Sequence, residues 1–183
     1  VALVDGKPRL LNLRQMLDCF LAHRREVVTR RTVFELRKAR ERGHILEGLA
    51  VALSNVDEII ALIKAAQTPP EAKRGLMARQ WRSALVEEML SRAVADSYRP
   101  DGLAPEFGLS AQGYRLSDAQ AQAILELRLQ RLTGLEQDKI VAEYREVMDV
   151  IADLLDILAR PERITAIIGD ELALIKQQFG DPR

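Results

Sequence analysis

Residues 12–66 place the strongest constraint on the fold, because these fifty-five consecutive residues contain no proline. Apolar residues recur there at three- and four-residue spacing, which is typical of an α-helix with one apolar face. At 1.5 Å per residue, such a helix would span roughly 80 Å, well beyond the width of a small domain. A helix of this length needs a partner along which to bury its apolar face. The Pro69-Pro70 pair limits the stretch, since proline removes a backbone donor and disfavours helix in the preceding residue.

A second helical stretch, residues 136–178, supplies that partner. From Ile140 to Leu158 its apolar residues alternate at spacings of four and three, as in the seam of a coiled coil. Pro161 interrupts the stretch and suits the first turn of a new helix. The two lengths predict an antiparallel pair, in which 12–66 runs outward and 136–178 returns.

The distribution of charge supports this pairing. Residues 24–42 carry eight basic and three acidic side chains, whereas residues 136–158 carry seven acidic and two basic ones. Opposite charges on facing helices favour pairing and orientation, although each exposed pair contributes only about 0–1 kcal/mol. The buried seam is therefore expected to hold the helices together, while the charges select the partner.

Between the two arms, residues 67–135 hold most of the prolines and several turn glycines, which indicates a separate head. We predict helices over residues 80–95 and 117–132, the second beginning with a capping box at Ser117. The predicted fold is all-α: a long antiparallel intramolecular coiled coil with a small globular helical head and a short N-terminal hairpin. Its predicted domains are a hairpin at 1–11, an outgoing arm at 12–66, a dimerisation head at 67–135 and a returning arm at 136–183.

The predicted head helix 117–132 is apolar on more than one side, so it needs burial on more than one side. Its second burial surface is either another subunit or the core of a monomeric head, and the pattern does not separate the two. The residues that we assign to a candidate dimer interface are Gln120, Ala123, Ile124, Leu127, Arg128 and Arg131.

The basic stretch of the first arm has two interpretations. Its arginines could contact DNA phosphates, with Arg24, Arg25, Arg30 and Arg31 as the candidates. No groove-reading signature accompanies them, and the formal net charge of zero provides no global attraction to nucleic acid. A solvated face that pairs with the acidic helix is the favoured interpretation.

Composition and spacing argue against other classes of protein. The single cysteine, Cys19, cannot form an internal disulfide, and no apolar run reaches the ~20 residues of a membrane helix, so we expect a cytoplasmic protein. His23 and His44 lack further ligands at metal-binding spacing. No phosphate loop, nucleophile elbow or isolated carboxylate pair is present, so we predict no catalytic, cofactor or metal site in this chain.

Several long motifs resemble one family. Residues 20–32, 34–36 and 44–49 resemble the coiled-coil arm of A subunits of the DNA gyrase family, which are type IIA topoisomerases. Residues 120–136 resemble the head helix of that region, and residues 179–181 resemble the end of its breakage–reunion core. The A-type subunit of topoisomerase IV shares the arm and the head helix and is the alternative within the family.

The resemblance implies a non-catalytic part of a larger enzyme. In that family the heads of two subunits form the exit gate, or C-gate, which holds the dimer together and releases the transported duplex during ATP-dependent supercoiling. The implied partners are a second copy of the chain, double-stranded DNA and a gyrase B-type subunit, with no membrane. Mg²⁺ and ATP are implied only for the parent enzyme, through the B-type subunit. A docking module for a regulator or inhibitor is the second functional alternative.

Overall fold

The computed structural model describes residues 1–91, 95–128 and 134–181, most of which are helical. The all-α class predicted from the sequence is confirmed, with short strands added. The elements in chain order are β1 (Ala2–Val4), β2 (Lys7–Arg9), α1 (Leu13–Ser54), α2 (Val56–Ala65), α3 (Pro69–Ala78), β3 (Gln80–Trp81), α4 (Ala84–Ser91), α5 (Ala95–Tyr98), β4 (Gly108–Ser110), β5 (Gly113–Arg115), α6 (Asp118–Leu125), α7 (Gly134–Ala159) and α8 (Pro161–Phe179).

The chain divides into two units, each with its own internal contacts. The terminal unit comprises Val1–Leu36 and Ala152–Arg183, and the central unit comprises Arg37–Ile151. Helices α1 and α7 contribute residues to both. The four domains expected from the sequence stay a prediction.

The terminal unit begins with the predicted hairpin. β1 and β2 pair antiparallel, with Leu3 opposite Pro8. Asp5 and Gly6 have φ values of 52° and 73°, as a two-residue turn with left-handed backbone at both positions requires. Asn12 then caps α1, because its Oδ1 accepts the backbone N–H three residues later at 2.9 Å.

Within the terminal unit, α8 pairs with the first half of α1. Arg24 and Arg31, two turns apart on α1, both form ion pairs with Glu171 of α8. Val28, between the two arginines, and Ile168, one turn before Glu171, are buried. The buried apolar residues hold these helices, and the charges lie at the edge of their contact.

Within the central unit, α1 pairs with α7 in the antiparallel sense. Tyr144 contacts Glu47, whereas Val147 lies beside Gly43, so rising numbers on α1 meet falling numbers on α7. Arg42 forms an ion pair with Glu143 at the edge of this contact. The antiparallel arrangement predicted from the sequence is therefore present inside this unit.

The first predicted helix is interrupted near its end. α1 ends at Ser54 and α2 begins at Val56, whereas the sequence predicts one helix through residue 66. Asn55 accounts for the break: its side-chain amide donates to the carbonyl oxygens of Val51 and Arg82, both at 2.8 Å. A polar side chain that bonds backbone carbonyls in this way competes with continued helix.

The head contains a small sheet that the sequence analysis did not predict. β3, β5 and β4 form a three-stranded antiparallel sheet in that order. Trp81 was expected on a helix over 80–95 but lies in β3, where its indole N–H donates to the Leu76 carbonyl oxygen at 2.9 Å. The helix starts later, at α4, because the Ser83 hydroxyl accepts the Val86 backbone N–H near its first turn.

One core joins α1, α2, α3, α4, α6, α7 and the sheet of the central unit. Its largest fully buried side chains include Trp81, Tyr114, Tyr144, Leu46, Leu76 and Leu116. Gly48 allows α1 to approach α6 closely, since a Cβ atom there would lie 2.6 Å from Gln120 Cγ. This crossing fixes where the head lies against α1.

Replacing Gly48 with alanine should destabilise the protein by about 1–3 kcal/mol, because the new methyl group overlaps a buried side chain. Gly169→Ala is the matched control, since a Cβ at that position in α8 has open space around it. Helix propensity then predicts a stabilisation of about 0.5–1 kcal/mol for the control. Urea unfolding of both variants measures the difference, and an equal effect in the two would contradict the close crossing.

Candidate interaction surfaces

A buried polar cluster anchors the start of α6 to α1. The predicted capping box is present: Gln120 N–H donates to Ser117 Oγ at 3.3 Å, and Ser117 N–H donates to Gln120 Oε1 at 3.0 Å. The Gln120 side-chain amide also donates to the His44 carbonyl oxygen and to the Tyr114 hydroxyl, both at 2.7 Å. One glutamine thus joins α6, α1 and β5.

His44 lies in the same cluster and contacts polar groups through both ring nitrogens. Its Nδ1 lies 3.2 Å from Gln120 Nε2, and its Nε2 lies 2.7 Å from Ser117 Oγ. Burial, together with the positive charge of Arg99, lowers the pKa of His44 to about 4. The imidazole is therefore neutral at physiological pH and serves as a structural link.

Glu47 brings a carboxylate into the same cluster. The Tyr144 hydroxyl donates to Glu47 Oε2 at 3.2 Å, and the Tyr114 hydroxyl also hydrogen-bonds the carboxylate. Burial raises the pKa of Glu47 to about 6, against the opposing effect of the two tyrosines and of Arg99. The ionised carboxylate thus depends on phenol donors from β5 and α7 to offset its loss of hydration.

All buried side-chain nitrogen and oxygen atoms within the described residues have hydrogen-bond partners. The cluster is consequently a satisfied network, which rigidifies the junction between arm and head. A network that joins α1, β5, α6 and α7 in this way suits the positioning of these elements against one another.

α6 is shorter than the sequence predicts. It ends at Leu125, and the backbone N–H of Glu126 donates to the Gln122 carbonyl oxygen at 3.1 Å as the helix closes. Residues 127 and 128 are not helical, so the expectation of one helix over 117–132 is wrong for this part. Residues 129–132 lie outside the described residues.

The six candidate interface residues have different environments. Gln120 is fully buried and Ile124 is 4% exposed, so both side chains are enclosed by their own chain. Ala123 and Leu127 are partly exposed, and Arg128 is exposed. Arg131 lies outside the described residues. Of the six predicted residues, only Ala123, Leu127 and Arg128 are thus shown to be accessible to a partner, and they lie toward the end of α6 and just beyond it.

That surface borders an apolar groove of about 270 Å³. The groove lies between α2 and the end of α6 and has Lys64 at its rim. Its apolar lining is Ala52, Leu53, Val56, Ile59, Ile60, Ile63, Ile124, Leu125 and Leu127. A partly exposed apolar groove with so little polar lining is typical of a surface that binds another protein. In the sequence, the apolar spacing of residues 56–63 indicates this groove, but these residues were expected to belong to the outgoing arm.

The four candidate DNA-contacting arginines are also unequal. Arg24 and Arg31 are engaged by Glu171, and Arg30 pairs with Glu26 one turn away. Arg25 is exposed and forms no ion pair within the described residues. Arg25 is therefore the candidate with the most freely available charge.

Other chemical sites have little support. Within the described ranges, no three His, Cys, Asp or Glu side chains gather as metal ligands, and no helix is long and apolar enough to cross a bilayer. Cys19 is a partly buried free thiol. Tyr98 and Tyr114 line a small cavity of about 70 Å³ beside the polar cluster, and Tyr114 is buried and hydrogen-bonded as a structural residue.

The central unit thus pairs α1 with α7 and carries an apolar groove on its head, and sequence comparisons define the family of the chain. Residues 1–173 match the family described as the A subunit of DNA gyrase/topoisomerase IV. The chain therefore belongs to this family, as its motifs indicated.

Individual relatives point to the gyrase branch. The chain is 60% identical to the DNA gyrase A subunit of Pseudomonas aeruginosa over 183 residues, which are 100% of this chain and 20% of that protein. It is 58% identical over 185 residues to the gyrase A subunit of Neisseria gonorrhoeae, again covering 100% of this chain and 20% of the relative. Over 144 residues it is 58% identical to the gyrase A subunit of Escherichia coli, with coverage of 79% and 16%. The chain thus corresponds to one region, about a fifth, of these longer proteins.

Glu47→Gln tests the buried carboxylate. The pKa of Glu47 is about 6 in the folded protein against 4.5 when unperturbed, so ionisation opposes folding above pH 6. The free energy of unfolding of the wild type, relative to this variant, should rise as pH falls from 7 to 4.5 and stay level below that. The titration of His44 is common to both proteins and cancels in the difference. Thermal unfolding of both proteins across pH 4–8 measures this difference in the free energy of unfolding. A difference that does not change with pH would contradict the burial of a charged Glu47.

Proposed function

We propose that this chain is the coiled-coil arm and C-gate head of a DNA gyrase A subunit. The observation that carries the proposal is the apolar groove between α2 and the end of α6, on a head with a rigid polar anchor. Two copies that meet through their heads would cover this groove and form a closed, two-fold symmetric contact.

The geometry suits a gate better than a reactive centre. α6 is held by buried hydrogen bonds at its N-terminus, so its far end can present Leu127 and Arg128 in a defined position. A surface held in advance of binding loses less conformational freedom on association, which favours re-association of the two heads each time the gate closes. The two copies would stay joined through the heads while a duplex passes.

The activity of the intact enzyme belongs to this proposal as well. The region would act with a gyrase B-type subunit, which would supply ATP hydrolysis and bind Mg²⁺ during supercoiling of double-stranded DNA. The 183-residue chain alone should neither cleave DNA nor hydrolyse ATP, because its ionisable cluster is hydrogen-bonded in a structural role. The relatives' names favour gyrase over the topoisomerase IV alternative.

Leu127→Glu should shift the chain from dimer toward monomer, since a charge at the groove would be buried without a partner. Ala119→Glu is the control, because this exposed residue near the start of α6 lies outside the groove lining and an acidic side chain suits the first turn of a helix. Sedimentation equilibrium gives the dimer dissociation constant, which should rise about tenfold or more for Leu127→Glu alone. Circular dichroism establishes that both variants remain helical. An unchanged constant for Leu127→Glu would exclude this part of the head from the contact.

Arg25→Ala should weaken binding of the chain to a DNA duplex and lower the slope of log affinity against log salt by about one. Arg163→Ala is the control, because Arg163 is engaged with Asp153 and Asp156 at 2.7 and 2.8 Å. Fluorescence anisotropy with a labelled duplex at several salt concentrations measures both. Equal slopes for wild type and Arg25→Ala would remove Arg25 from the proposed DNA path.

A further inference from the structure

The strands of the head lie in stretches of the chain that carry basic side chains and no acidic ones. Residues 72–86, which include β3, contain four lysines and arginines, and residues 107–117, which include β4 and β5, contain one arginine. Neither stretch contains Asp or Glu, although the formal net charge of the whole chain is zero. The head sheet therefore has a local excess of positive charge within a neutral protein.

The register of the sheet places three arginines at neighbouring positions. Trp81 and Tyr114 lie opposite each other and are buried, so their side of the sheet faces the core. Gln80 lies opposite Arg115, and because side chains alternate along a strand, this pair belongs to the outer side. Two more arginines flank β3 and are exposed. We define the basic sheet surface as Arg79, Gln80, Arg82 and Arg115.

The positive charges of the basic sheet surface lack counter-charges. None of its three arginines forms an ion pair within the part of the chain that the structure describes. The spacing of residues along and between strands brings their Cα atoms within roughly 10 Å of one another. This is about the Debye length at physiological salt, so the three charges repel one another and their fields add. Binding of a polyanion would relieve that repulsion.

Arg115 is held in position before any partner binds. Its Nε donates to the Met77 carbonyl oxygen at 3.4 Å, and its guanidinium lies over the ring of Phe107, 5.7 Å from the ring centre. A guanidinium held in this way loses less conformational freedom when it binds an anion. Its planar fork also matches the paired oxygens of a phosphate group.

The chemistry of the basic sheet surface favours the backbone of a DNA duplex over other polyanions. All four of its residues are polar, whereas a protein interface has an apolar centre. Protein–DNA interfaces are more polar and more positively charged. Binding of a single strand usually relies on aromatic side chains that stack on the bases. The nearby Trp81 and Tyr114 are buried, and Arg115 covers Phe107, so these rings do not stack on bases.

We propose that the basic sheet surface binds phosphates of a DNA duplex without reading the base sequence. This inference rests on the proposed function, in which a duplex passes the head, and it adds a site where the head contacts that duplex. None of the four residues lines the apolar groove, so the surface is separate from the proposed dimer contact.

Removal of two exposed charges tests the surface in the 183-residue chain. Arg79→Gln with Arg82→Gln should lower the slope of log affinity against log salt by about two and weaken binding roughly tenfold or more at 0.1 M salt. Fluorescence anisotropy with labelled duplexes of two unrelated sequences measures both quantities, and the two sequences should behave alike. Lys139→Gln with Lys176→Gln removes the same charge from α7 and α8 and should keep the wild-type slope.

A pair of variants at Arg115 separates charge from packing, because both lose the guanidinium that lies over Phe107. Arg115→Gln should lower the slope by about one, whereas Arg115→Lys keeps the charge and should keep the slope. Circular dichroism and urea unfolding show whether each variant is folded. Should Arg115→Gln fail to fold, the double variant at the exposed Arg79 and Arg82 still decides the outcome.

The outcomes separate this inference from the proposed function. A loss of slope confined to the variants of the basic sheet surface supports it, and a wild-type slope in the Arg79 and Arg82 double variant would overturn it. Weaker binding of a labelled polyglutamate peptide with unchanged duplex binding would also overturn it, in favour of an acidic protein partner. Sedimentation equilibrium tests the head dimer independently: a monomeric chain that loses duplex binding only in these variants would contradict the proposed gate and retain the surface.

Discussion

The position of the head depends on the contact between Gln120 and α1. Gly48 leaves room for the Gln120 side chain, and the amide of that side chain bonds the His44 carbonyl oxygen at 2.7 Å. Because Gln120 also closes the capping box with Ser117, the same residue decides where α6 begins and where it lies. This placement also positions the side of the apolar groove opposite α2, because α6 extends from Gln120 to Ile124, which lines the groove.

A buried carboxylate next to this contact is a cost that the structure tolerates. Glu47 is kept in place by hydroxyl donors from Tyr114 and Tyr144, which belong to two further elements of the central unit. Hydrogen bonds to a buried charge are stronger than those between neutral groups, and a network in which every member is satisfied specifies one arrangement. The cluster therefore lowers the stability of the protein somewhat at neutral pH, and it fixes the arrangement of arm and head at their junction.

Division of roles between apolar and charged residues recurs along the arms. Val28 and Ile168 are buried in the terminal unit, while Arg24, Arg31 and Glu171 occupy the edge of the same contact. Exposed ion pairs contribute little free energy, so burial holds the helices and charge orients them.

Features that depend on neighbouring residues could be predicted from the amino-acid sequence alone. The hairpin at Asp5-Gly6, the cap at Asn12, the capping box at Ser117 and the helix start at Pro161 all follow from turn and cap chemistry within a few residues. The length and apolar spacing of the arms also sufficed to predict their antiparallel packing, because long amphipathic helices need long partners.

Features that depend on residues far apart in the chain could not be predicted in this way. Arg82 lies twenty-seven positions from Asn55, yet its carbonyl oxygen helps to end the first helix there. Trp81 belongs to a strand because β5 pairs with it, although its local pattern suits a helix. Gln120 was assigned to the candidate dimer interface, but it is buried within its own chain against His44, seventy-six positions away. The spacing of apolar residues shows which face of a helix or strand is buried. It does not show which element packs on that face, because that element can come from a distant part of the chain.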